Sequence, residues 1–128
     1  MPHLTLEYSA NLEGRADITA LCRALHAAVM SSGLFELGAV RVRAFAAQHF
    51  AIADLDRRNS FIDMSFRIGE GRSAADKKAA GEAIFAAATA HCTALLAEPY
   101  FALSLEIREI DAELSWKKNA IHPRLRGK

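Results

Sequence analysis

Phe61-Ile62-Asp63-Met64-Ser65-Phe66-Arg67-Ile68-Gly69-Glu70-Gly71-Arg72-Ser73 is a strand, a glycine turn and a helix start in one unbroken run. Apolar Ile62, Met64, Phe66 and Ile68 alternate with Asp63, Ser65 and Arg67, the period of a strand with one buried face. Gly69 and Gly71 turn the chain. Ser73, with Asp76 three residues on, has the spacing of a capping box opening an Ala-rich helix predicted to run to about Leu96. A further strand is predicted at Ala102 to Ile110.

The same order occurs earlier in the chain. Leu4, Leu6 and Tyr8 alternate as a strand. Asp17 caps a helix whose apolar stripe, Ile18, Leu21, Cys22, Leu25, Ala28 and Val29, ends at Gly33. Val40, Val42 and Ala44 then alternate with Arg41, Arg43 and Phe45 in a second strand, which sets both arginines on the face opposite the valines. A short strand is expected around Phe50 to Ala53, followed by a polar turn from Asp54 to Asn59. A helical crossover between neighbouring strands makes each pair parallel and right-handed. Two βαβ units should therefore share one four-stranded sheet, with both helices on one face if the halves are related by a pseudo-twofold axis. The uncovered face asks for another subunit, and a homo-oligomer is expected.

The chain has 128 residues, 52% of them hydrophobic, and is expected to form one domain over 1–128. A formal charge of +1 offers no field to gather nucleic acid or anionic lipid, so any anion recognition must be local. Cys22 and Cys92 fall in helical patterns away from metal-ligand spacings and read as reduced thiols, with no metal expected. No secretory signal pattern and no apolar run of ~18 residues occurs, so a cytoplasmic protein with no membrane segment is expected.

Several short motifs together resemble the 5-carboxymethyl-2-hydroxymuconate isomerase family of the tautomerase superfamily. They are Pro2-His3 with Glu7 and Ser9, the run Gly33 to Arg43, the loop Ile68 to Ser73, the strand segment Ser104 to Ile107, and Asn119-Ala120-Ile121-His122. The resemblance covers nearly the whole chain. It implies an α+β, tautomerase-like fold assembled as a homotrimer. The implied activity is a cofactor-free proton shift on an unsaturated enol or keto polycarboxylate, 5-carboxymethyl-2-hydroxymuconate in homoprotocatechuate breakdown. It also implies that removal of Met1 exposes Pro2 as the catalytic amine. Taken alone, a proline at position 2 is an ordinary strand-start residue.

The chemistry suits these residue types. An α-amino group titrates near ~8, close to what a general base requires, and burial or nearby guanidinium groups draw it lower. Arginine keeps its charge and grips a carboxylate with a planar fork. Arg41 and Arg72 match the family's substrate-binding positions, Arg72 beside a helix N-terminus that favours anions. Arg43 is a third candidate, with an intersubunit salt bridge as its other reading. Trp116 and Phe45 are candidates for an apolar wall.

The stretch from Ala44 to Arg58 departs from the family pattern and leaves substrate choice open. Turnover of another enol acid, phenylpyruvate-like or muconate-like, is the alternative within this chemistry. A hydratase or dehalogenase would need Glu7 or Glu106 in the pocket to orient water. A non-catalytic trimeric binding module would retain Met1 and lack converging arginines.

Overall fold

A computed structural model describes residues 1–127. Strands β1 (His3–Ser9), β2 (Arg41–Ala47), β3 (Ser60–Gly69) and β4 (Phe101–Ile110) form one sheet in the order β2-β1-β3-β4. The pairs β1–β2 and β3–β4 are parallel and the central pair β1–β3 is antiparallel, so the two βαβ halves meet at the middle of a mixed sheet. Helix α1 (Ile18–Ser31) joins the first pair and α2 (Ala74–His91) the second. They pack against each other on the same side of the sheet, α1 over β2 and α2 over β4.

The core lies between that side and the helices. Leu4 and Leu6 of β1 and Ile62, Met64, Phe66 and Ile68 of β3 are buried there, against Leu21, Leu25 and Val29 of α1 and Ala80, Ile84 and Ala88 of α2. The helical sets recur every four residues, which keeps each on one stripe. Each fully buried Leu, Ile or Phe side chain contributes about 1.5–3 kcal/mol. Both helix caps act where the sequence puts them. Asp17 Oδ1 accepts from Ala20 N at 2.9 Å, and Ser73 Oγ accepts from Asp76 N at 3.1 Å. Gly33, at φ 72°, ends the first helix in a left-handed conformation that a Cβ would strain.

Two readings of the sequence are corrected, and one further element is present. Residues Phe50 to Ala53 form no strand. The segment is a loop in which Ala53 (φ 50°) and Leu55 (φ 67°) are left-handed, while Asn59 Nδ2 donates to Ile52 O at 3.0 Å and Asp54 Oδ1 at 2.7 Å. Side-chain amide bonds take the place of a strand ladder there. The second helix stops at His91. Cys92, at φ −98° and ψ 18°, leaves the helical region before a single further turn, α3 (Thr93–Leu96). A C-terminal helix, α4 (Ile121–Arg126), was not predicted because it carries no apolar stripe; none of its residues is buried. Its hold is polar. Arg126 Nε and Nη2 donate to Glu36 at 2.5 and 2.7 Å, and Asn119 Nδ2 donates to Gly38 O at 2.9 Å.

The face away from the helices is polar: His3, Thr5 and Glu7 on β1, Asp63, Ser65 and Arg67 on β3, Ser104, Glu106 and Arg108 on β4. No helix covers it. Cross-strand register places Arg41, His3, Arg67 and Arg108 in one row across all four strands.

Candidate active site

That basic row lies at the end of the sheet where the chain begins. Strand β1 starts between β2 and β3, and Arg41 N donates to Pro2 O at 3.2 Å, which ties the terminus to the edge strand. Pro2 is buried beneath a half-buried Met1. A cavity of about 590 Å³ opens here, walled by Met1, His3, Arg41 and Arg67 on the sheet side. Glu70 enters from the loop after β3, and Leu114, Trp116, Lys117 and Lys118 from the segment after β4.

Arg41 and Arg72 are fixed by backbone carbonyls. Arg41 Nη1 donates to Ala39 O at 2.8 Å. Arg72 Nη1 and Nη2 donate to Gly69 O and Leu34 O at 3.2 and 3.1 Å, and its guanidinium carbon sits 4.4 Å from the centre of the Phe35 ring. Phe35 in turn meets core Phe66 edge-on at 5.6 Å, so Arg72 is braced from the sheet. Neither arginine forms an ion pair among the described residues. A charge held by carbonyls and a ring face retains its attraction for an anion.

The terminal amine registers these charges. Burial and then the positive charges of Lys117, Arg72 and Arg41 hold it below its ordinary value of 8.0. That nitrogen belongs to Met1, one residue outward from Pro2, and probes the surroundings that a processed terminus would enter. His3 is depressed further, to about 4, by burial first and then by Arg67, Arg43 and Arg41. It is therefore neutral near pH 7. Arg43 Nη1 lies 3.1 Å from His3 Nδ1. A guanidinium cannot accept, so Nδ1 supplies the lone pair and the ring proton resides on Nε2.

The family model of 5-carboxymethyl-2-hydroxymuconate isomerase matches residues 2–125. The Escherichia coli 5-carboxymethyl-2-hydroxymuconate Delta-isomerase is 32% identical over 122 residues, 95% of this chain and 97% of that protein. The chain belongs to the 5-carboxymethyl-2-hydroxymuconate isomerase family. The crystal structure of a 5-carboxymethyl-2-hydroxymuconate isomerase from Deinococcus radiodurans R1, 38% identical, superposes with a TM-score of 0.91 over 98% of this chain and 94% of that one. A fused 4-OT symmetric trimer shares the fold at 15% identity, with a TM-score of 0.66 over 91% of this chain and 93% of that one. The chain is thus an isomerase by family, and its fold is tautomerase-like.

Within this isomerase family frame, the sequence-predicted residues divide by place. Arg41 lines the cavity; Pro2 is buried between Met1 and His3, which line it, without being part of the wall itself, and Arg72 stands against Phe35, outside the lining, its charge acting on the terminus. Arg43 is absent from the cavity wall; its side chain reaches His3 on the open face, and its strand borders a separate groove between α1 and β2. Phe45 is exposed on the open face, away from the cavity, whereas Trp116 is in its wall. Glu7 and Glu106 do not line the cavity, and Glu106 is paired with Arg108 at 2.6 Å. Glu70, the one acid in the wall among the described residues, accepts from Ala112 N at 2.8 Å. Arg67, Lys117 and Lys118 were not singled out from the sequence. Arg67 reads there as an ordinary outward residue of an alternating strand, and the lysines lie in a stretch without periodicity.

Proposed function

We propose that the chain, once Met1 is removed, catalyses a cofactor-free proton shift in 5-carboxymethyl-2-hydroxymuconate with the Pro2 nitrogen as both base and acid. The charges of Lys117, Arg72 and Arg41 around the start of the chain carry this reading: burial and these charges hold the Met1 amine below its ordinary value, would act in the same direction on a Pro2 amine, and provide cations for the substrate's carboxylates. Neutral Pro2 takes the enol O–H proton as the enol oxygen becomes a carbonyl and the double bonds shift. The resulting ammonium returns the proton to a distant carbon, so no atom is gained or lost. Arg41 and Arg72 hold carboxylates and neutralise charge on the dienolate. Arg43 fixes neutral His3 and shapes the wall beside the base. The alternative that Pro2 activates water is disfavoured, since among the described residues the one cavity carboxylate, Glu70, accepts a hydrogen bond from a backbone amide.

We place the enzyme in the cytoplasm as a homotrimer, its polar sheet face turned toward neighbouring subunits. The test is the ultraviolet decay of 5-carboxymethyl-2-hydroxymuconate enol, with intact mass reporting whether Met1 is gone. Processed protein should far exceed the uncatalysed rate. Protein retaining Met1 should not, because an amide nitrogen has no available lone pair. Pro2→Ala, which keeps a primary amine, should lose ~10²-fold or more in kcat with a smaller change in KM. Background decay with fully processed protein would reject the reading.

A further inference from the structure

The cavity holds more positive charge than the proton shift itself needs. Arg67 enters it from β3, opposite His3 in the antiparallel register, and Lys117 enters from the segment after β4. Neither forms an ion pair among the described residues. Arg41 and Arg67 occupy the same cross-strand row on either side of His3, so cations stand on both flanks of the starting strand. The His3 ring between them is neutral and cannot relieve the repulsion by pairing with an anion of its own. Unpaired cations gathered around one cavity repel each other and favour an anionic occupant that spreads over several of them. A monocarboxylate would satisfy one such contact and leave the rest unmet.

Accepting the enol-acid reading above, we infer that Arg67 and Lys117 form a second anion subsite, distinct from the Arg41 and Arg72 contacts, which selects polycarboxylate over monocarboxylate enols. Arg67 offers a planar fork from a central strand, and Lys117 a movable point charge from the segment after β4. The same segment brings Trp116 into the cavity wall.

The test measures kcat/KM for 5-carboxymethyl-2-hydroxymuconate and for phenylenolpyruvate, a monocarboxylate enol, in Met1-free wild type, Arg67→Gln, Lys117→Gln and Arg67→Lys. In each Gln variant the ratio of the two values should fall at least tenfold, mainly through KM for the polycarboxylate, and Arg67→Lys should restore part of it. Loss of packing or assembly would depress both substrates together; an unchanged ratio in both Gln variants overturns the inference. Calorimetric binding of propane-1,2,3-tricarboxylate separates this outcome from failure of the catalytic reading. If the wild type turns over neither enol but binds the tricarboxylate at least tenfold more tightly than the Gln variants do, the subsite stands and the proposed reaction falls. Equal binding by all the proteins would remove the subsite whatever the kinetics.

Discussion

At the scale of single residues, the site works by keeping charges in place without cancelling them. His3 is the clearest case, because its pKa in the folded chain is about 4 against an ordinary 6.5. As pH falls, the unfolded chain therefore takes up this proton before the folded chain does. The stability linked to neutral His3 is fully present above about pH 6.5 and is lost as pH falls through the folded value. The variant His3→Gln keeps an acceptor for Arg43 without a titrating ring. Urea unfolding at pH 7.5, 5.5 and 4 should show a shallower loss of stability for the variant than for wild type, the carboxylates contributing alike to both. Parallel curves would mean that His3 titrates normally. Pro2, Arg41 and Arg72 were singled out from the sequence because they fall within motifs a family shares. Arg67 was not, since its importance depends on which strand pairs with β1, and alternation alone does not tell strand order.

At the scale of elements, alternation and caps read well where a partner face lies within the same half of the chain. The strand of Phe61 to Ile68 and the capped helix starts at Asp17 and Ser73 all lie where their patterns put them. The readings that failed depend on contacts distant in sequence or on local polar bonding. Helix α4 is held to the turn at Leu37–Ala39 by bonds spanning roughly eighty to ninety residues, and Gly38 permits that approach. A Cβ there would lie 2.7 Å from His122 Nδ1 and 3.2 Å from His122 Cα, and the backbone contact cannot be relieved by a rotamer change. Gly38→Ala should therefore lift the end of the chain from the turn. The expected loss is about 1–3 kcal/mol, read as a lower urea midpoint at constant slope. A midpoint equal to wild type would show that α4 can shift without loss. The same turn leads into Arg41, so the docking of α4 also steadies one side of the cavity.

At the scale of the whole molecule, the sheet is finished on one face only. The helix-covered face buries the core, while the other presents a basic row at the terminus end and acids, Glu7 and Asp63, two rows away. Mixed charge on an open sheet suits a wet interface between copies better than a dry core. The strap after β4 points to the same conclusion: Trp116 is 85% exposed and Leu114 71% exposed in the single chain, beside the cavity. Large apolar side chains so placed gain most from a neighbouring subunit. The chain has one tryptophan, which makes its fluorescence specific to this position. Sedimentation equilibrium should give three times the 14.0 kDa chain mass. Trp116 emission should be blue-shifted in the assembly and move to the red on dilution, over the same concentration range in which activity is lost. A water-exposed emission maximum at every concentration would leave the strap outside the interface. Loss of activity without a change in that maximum would locate the trimer's contribution elsewhere on the open sheet.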